Sequence, residues 1–191
     1  MRPLNHFIVH LPNKFKDTIK VGDKELYLAS KFNEFENRNT YGTIVGVPER
    51  HDTGAKIGDT LYFHHHVVMN TSLMIGDDKY IVMYDQEGEY ANHALAYKDS
   101  DGAVHPLGDW VFLLKPEQEV EEKKGSLFLV QSERKQDTKG ELAYDSEGTR
   151  ELGLKAGDIV GFSKNSDYEI DVDGIAMYRM LLRDLVYVEE K

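Results

Sequence analysis

The sequence predicts an all-β protein made of two small β-barrel domains in tandem, each with a long mobile loop. Short runs rich in Val, Ile, Tyr and Phe, bounded by Gly, Asp, Asn and Pro, are typical of strands, and the same series of runs occurs twice in the 191 residues. No long stretch keeps the 3.6-residue apolar period of an amphipathic helix. We therefore expect one domain over residues 1–100 and a second over residues 101–191.

The composition is that of a folded chain that binds neither nucleic acid nor membrane. Hydrophobic residues make up 40% of the chain, enough for a core. The net charge is −11, and the basic residues are scattered among acidic ones, which disfavours phosphate backbones and anionic lipid surfaces. Zero cysteines exclude disulfides and thiolate sites. With no signal-peptide pattern and no apolar run near the roughly 20 residues that span a bilayer, we expect a cytoplasmic protein.

An internal repeat organises the chain. Five pairs of segments match in the same order: residues 3–9 with 106–112, 41–45 with 139–143, 56–63 with 155–162, 81–84 with 175–178, and 94–97 with 185–188. The offset falls from 103 to 91 along the chain. The halves therefore differ by insertions between strands, where loops absorb them at little cost, and we infer a duplication.

A Gly-Asp pair occupies the same place in both halves, at Gly58-Asp59 and Gly157-Asp158. The pair stands just before the start of a predicted central strand. Glycine relieves the backbone of a tight turn, and an aspartate carboxylate accepts hydrogen bonds from its own main chain. The sequence predicts such a turn in each domain.

These segments resemble the GroES, or chaperonin-10, family. The second half is similar along nearly its whole length, through residues 106–111 (PLGDWV), 154–162 (LKAGDIVGF) and 175–188. The first half follows the same plan through residues 2–9 (RPLNHFIV) and 56–63 (KIGDTLYF). Residues 48–55 are too short for the long hairpin that forms the roof of the ring in the family. The resemblance implies two GroES-like domains in one chain.

The resemblance also implies a function without chemistry of its own. A GroES-type co-chaperonin caps an ATP-bound, GroEL-type chaperonin ring and encloses a substrate protein, so the expected partners are that ring, further copies of this chain in a ring, and the enclosed protein. No enzyme activity, cofactor or metal is expected. The family's rings are sevenfold, and two domains per chain do not divide seven. A mismatched ring, a mixture with single-domain subunits, and a first domain displaced from the ring all remain open.

The predicted chaperonin-binding residues lie in two long polar segments. Residues 13–40 contain Leu26, Tyr27 and Leu28, and residues 117–139 contain Leu127, Phe128 and Leu129. A charged segment of low hydrophobicity does not repay the entropy of ordering itself, so an isolated apolar triplet within it is available to a partner. The resemblance places the family's loop tripeptide here. The alternative is that both triplets are ordinary strands of the barrels.

Two polar motifs suggest ions, and both have a simpler interpretation. In a strand, His64 and His66 would share a face, but the sequence indicates no third ligand, so we expect a polar rim strand. Residues 169–174 partly imitate a calcium loop, yet the twelfth position is Met180 instead of glutamate. A turn before a strand is the better account.

A short turn-rich linker separates the two predicted domains. Residues 98–103 are rich in turn formers and predict a hairpin between the strands at residues 93–97 and 110–113. In GroES-like rings the last strand of one subunit pairs with the first strand of the next, so this hairpin would make two ring neighbours of one chain.

Two other functions compete with that of a co-chaperonin. One is a structural or assembly protein, such as a phage component, that keeps the fold without binding a chaperonin. The other is a GroES-like dehydrogenase domain, whose nucleotide-binding domain and zinc cysteines are missing here.

Overall fold

The computed structural model describes residues 2–15, 18–21, 24–27, 38–84, 92–116 and 138–189, with backbone alone for residues 18–21 and 24–27. The chain divides into two compact units, Met1–Gly108 and Asp109–Lys191. Each unit is built on one six-stranded antiparallel sheet, which confirms the all-β class. Closure of either sheet into a barrel stays a prediction. Within the described residues, no helix has the length and apolar content to cross a bilayer.

The described residues of the first unit form eight strands and a one-turn α-helix. They are β1 (Phe7–His10), β2 (Thr18–Val21), β3 (Lys24–Tyr27), β4 (Tyr41–Gly46), β5 (Thr60–Phe63), α1 (His66–Met69), β6 (Lys79–Val82), β7 (Ala94–Lys98) and β8 (Val104–Pro106). Six of them form a sheet in the order β6-β1-β4-β5-β7-β8, while β2 and β3 form a separate two-stranded sheet. Residues of β4 alternate between exposed and more buried, as in a strand with one face on a core.

In the second unit, the part of the chain that the structure describes forms six strands and a short α-helix. They are β9 (Trp110–Leu114), β10 (Lys139–Leu142), α2 (Glu147–Glu151), β11 (Ile159–Phe162), β12 (Tyr168–Val172), β13 (Ile175–Leu181) and β14 (Leu185–Val188). The sheet order is β12-β13-β9-β10-β11-β14. Helix α2 begins after Ser146, whose side chain accepts a hydrogen bond from the Thr149 N–H at 3.1 Å, a standard N-terminal cap.

Five strands follow the same spatial order in both units. The order is β6-β1-β4-β5-β7 in the first and β13-β9-β10-β11-β14 in the second, and the strands in corresponding places are the ones that match in sequence. The sixth strand differs, because β8 lies beside β7 in the first unit, whereas β12 lies beside β13 in the second. The sequence repeat therefore corresponds to a repeat in topology.

Each sheet packs one face on its own apolar core. The first core includes Phe7, Val9, Leu11, Ile44, Leu61, Phe63, Tyr80, Val82, Tyr97 and Leu107. The second includes Val111, Leu113, Leu142, Leu154, Val160, Phe162, Tyr178 and Met180. Matching positions of the repeat take the same role, as Phe63 and Phe162 illustrate. Burying such a side chain stabilises the fold by roughly 1.5–3 kcal/mol.

The two Gly-Asp turns form as the sequence predicts. Gly58 and Gly157 have φ angles of 101° and 91°, which glycine adopts without strain. The Asp59 carboxylate accepts the Lys56 N–H at 2.8 Å, and the Asp158 carboxylate accepts the Lys155 N–H at 3.0 Å. The same local structure thus delivers the chain into β5 and into β11.

The linker hairpin also forms, although its second strand is not the expected one. The Asp99 N–H donates to the Ala103 carbonyl at 3.0 Å across a turn that contains Gly102 at φ 87°. The strand paired with β7 is β8, at Val104–Pro106, whereas β9 pairs with β10 and β13. Because β8 belongs to the first sheet, the first unit extends to Gly108.

Candidate functional site

The two polar segments that carry the predicted binding triplets connect equivalent strands. One joins β1 to β4 and the other joins β9 to β10. Leu26 and Tyr27 lie on β3. Leu28, Leu127, Phe128 and Leu129 lie outside the described residues.

Strands β2 and β3 make an antiparallel hairpin that is separate from the six-stranded sheet. Its register pairs Ile19 with Leu26 and Thr18 with Tyr27. Residues 22 and 23, between the two strands, lie outside the described residues. The first triplet therefore begins on a local hairpin, outside the main sheet of its unit.

The ends of the first segment are held together at its base. Phe15 and Arg38 form an antiparallel bridge. The Asn39 N–H donates to the Lys14 carbonyl at 3.0 Å, and the Asn39 side-chain amide donates to the Asn13 carbonyl at 2.7 Å. The two ends of the segment therefore lie side by side.

The return of each segment to its sheet depends on a glycine. A Cβ on Gly42 would lie 3.0 Å from the His10 carbonyl oxygen, and one on Gly140 would lie 2.8 Å from the Leu114 carbonyl oxygen. The two glycines occupy the same position in the repeat. Both segments therefore re-enter their sheets by the same close approach of backbones.

The outer edge of β14 is an apolar surface that the sequence-based analysis missed. Among the described residues β14 pairs with β11 alone, and Val186 and Tyr187 are 65% and 50% exposed. The corresponding strand β7 has β8 on its outer side and buries residues 94–97. An open strand edge is a template for pairing with another chain. The apolar run at residues 185–188, with no polar alternation, was the available signal.

The three histidines after β5 do not form the polar rim strand that the sequence predicts, so that prediction is wrong. His64 follows the end of β5, His65 is the N-cap residue of α1, and His66 is the first residue of that helix. This tight turn brings the three rings together, with centroids 4.3 Å apart in each pair. Burial, reinforced by the nearby His66 and His6, lowers the pKa of His93 beside them.

The calcium-like motif is a hairpin turn, as the sequence predicts. Asp173 and Gly174 have φ angles of 55° and 83° between β12 and β13, values typical of a type I′ turn. The Asp171 carboxylate accepts the Gly174 N–H at 2.9 Å. This carboxylate oxygen therefore stabilises the turn.

Comparison with known proteins identifies the family. The chain is 37% identical over 92 residues to the co-chaperonin GroES of Coprothermobacter proteolyticus, across 44% of this chain and 93% of that protein. It is 33% identical over 72 residues to the co-chaperonin GroES of Pseudothermotoga lettingae, across 38% of this chain and 80% of that protein. No protein-family profile matches. The chain belongs to the GroES co-chaperonin family.

Proposed function

We propose that the chain is a co-chaperonin subunit with two GroES-like domains, which caps an ATP-bound chaperonin ring and encloses a substrate protein. The observation that carries the proposal is the shared order of five strands in the two units. The 191-residue chain is also about twice as long as the 92 residues that align with one GroES chain. ATP hydrolysis belongs to the chaperonin, and the subunit acts without catalysis in the cytoplasm.

The pairing of β7 with β8, which we call the internal seam, supports assembly into a ring. Strand β8 ends at Pro106, the first residue of the segment that matches residues 3–9, and it pairs with β7. This pairing has the form of a contact between ring neighbours, made within one chain. The next seam would place the N-terminal residues of a second copy along β14, whose outer edge is exposed and apolar.

The leucine that follows each matched proline supports the same arrangement. Leu107 follows Pro106 of β8, is 3% exposed, and belongs to the core of the first unit. Its counterpart Leu4 follows Pro3 and is 56% exposed. In the ring, Leu4 would occupy the second unit of a neighbouring copy as Leu107 occupies the first.

The apolar triplets act as the contacts with the chaperonin. Burying a large apolar side chain returns roughly 1.5–3 kcal/mol, whereas ordering a loop on its partner costs roughly 2–5 kcal/mol. One triplet alone therefore binds weakly. A ring that presents many triplets gains affinity through effective concentration, and it still releases when the chaperonin changes state.

The test replaces apolar residues of the second triplet. Leu127→Asp with Phe128→Asp should abolish co-elution with a GroEL-type chaperonin in gel filtration with ATP. The matched control is Ser126→Asp with Ser132→Asp, which adds the same charge to the same segment and should leave capping intact. Unchanged capping by the first variant would refute the role of the triplet.

The same assay tests the first triplet and the rival function. Leu26→Asp with Tyr27→Asp should weaken capping by at least about tenfold, in line with the loss of about 1.4 kcal/mol or more. Oligomers that never bind a chaperonin, even as the unmodified chain, would favour the structural or assembly protein. Circular dichroism checks that each variant is folded.

A further inference from the structure

Three consecutive histidines converge where β5 gives way to α1. Their ring centroids lie 4.3 Å apart in each pair. One nitrogen from each of His64, His65 and His66 lies within 4.8 Å of the other two. Imidazole nitrogen is a preferred ligand of Zn²⁺, Ni²⁺ and Cu²⁺. Three such donors in one turn are the minimum that a protein zinc site requires.

A fourth histidine stands beside the three. The His93 ring centroid lies 6.2 Å from that of His64, and the His64 N–H donates to the His93 carbonyl at 2.9 Å. Among the described residues, the buried Nδ1 of His93 has no hydrogen-bond partner. A buried polar atom without a partner is costly and calls for an explanation, such as a bound ion. This observation is independent of the three-ring cluster.

We propose that His64, His65, His66 and His93 form a site for Zn²⁺. Zinc–nitrogen distances of about 2.0–2.1 Å require the donors to approach more closely than they do here. His65 is half-buried and His66 is exposed, and their side chains would have to rotate to close that gap. The four donors are imidazole nitrogens, and the chain has no cysteine. Such a donor set favours a metal ion of intermediate hardness such as Zn²⁺.

The donors are not equivalent. Nδ1 of His64 accepts the backbone N–H of His66 at 3.2 Å. Binding through that nitrogen breaks this hydrogen bond, and binding through Nε2 requires the other tautomer. His65 and His66 are therefore the ligands to test first.

Bound zinc would join three elements of the first unit. His64 directly follows β5, His66 begins α1, and His93 directly precedes β7. Since Val67 and Val68 of α1 are buried in the core of the same unit, the ion would fix that helix to the sheet. An ion that binds the folded state alone raises the unfolding temperature of that state.

The experiment is calorimetric titration of ZnCl₂ into the full chain without a polyhistidine tag. We expect one ion per chain and a rise in the unfolding temperature. His65→Asn with His66→Asn should weaken binding by more than about 100-fold, since the loss of even outer contacts to a metal site costs 10–100-fold. The control, His10→Asn with His105→Asn, removes two histidines that pair with Asp78 and Asp99 and should bind as the unmodified chain does.

Three results would overturn the proposal, and the first two are measured on the unmodified chain. The unmodified chain could bind no Zn²⁺, or it could bind Co²⁺ without the intense visible absorption of a four-coordinate site. Equal binding by the two double variants would likewise place the ion elsewhere. Mg²⁺, which prefers oxygen ligands, should produce no heat of binding.

Discussion

At the scale of single residues, glycines set the points where the two long segments rejoin their sheets. Gly42 and Gly140 stand on β4 and β10 at the same position of the repeat, and each has a backbone carbonyl within 3.0 Å of the place of a Cβ. Backbone atoms yield less readily than the end of a flexible side chain. The steric limit therefore fixes glycine at both positions.

We expect Gly140→Ala to destabilise the second unit by about 1–3 kcal/mol, the usual cost of overpacking. Gly148→Ala in α2 is the matched control, because its Cβ would meet only the end of the Leu182 side chain. Urea unfolding followed by the fluorescence of Trp110, the only tryptophan, measures both. Equal midpoints for the two variants would contradict the steric argument.

At the scale of elements, the β7–β8 hairpin depends on one carboxylate. Asp99 accepts the N–H groups of Asp101 and Ala103 at 3.0 and 2.9 Å, and its other oxygen lies 2.8 Å from Nε2 of His105. The hydrogen bond with His105, followed by those from the backbone, lowers the pKa of Asp99 below its ordinary value. The ionised carboxylate is thus the form that the hairpin stabilises.

The pH dependence of the hairpin follows from this direction. Because the folded pKa is depressed, the contribution of Asp99 is fully present above the ordinary aspartate pKa and is lost as the pH falls through the lower folded value. The amide resonance of Ala103, followed by NMR, should titrate below the ordinary aspartate range. Asp99→Ala should remove the transition, and a transition that persists in this variant would assign it to another group.

At the scale of the whole molecule, the exposed Leu4 and the open edge of β14 predict self-association. Leu4→Asp should prevent assembly, because it places a charge where Leu107 shows that an apolar core receives the side chain. The control is Leu152→Asp, at a leucine that is 61% exposed in the second unit. Sedimentation velocity should show oligomers for the control and single chains for Leu4→Asp. Oligomers of equal size would exclude this contact.

The sequence predicted those features that are encoded by short runs of residues. The Gly-Asp turns, the hairpin at residues 98–103 and the turn at Asp173-Gly174 follow from local backbone preferences, and the repeat anticipated the equivalent strands. The placement of His93 beside His64 could not be predicted, since a contact across 29 positions depends on how β5 and β7 pair. The turn at His65 was missed because period-2 spacing does not say where a strand ends.

The pairing of β7 with β8 within one chain would change how the proposed ring responds to dilution. If every second contact between domains of the ring lies within one chain, dilution can separate only the contacts between chains. Half as many chains must then associate to complete the ring. The effective concentration at a junction within the chain is set by the five residues between Lys98 and Val104 and is independent of protein concentration. Such a ring would persist at concentrations at which single-domain subunits with the same contacts come apart.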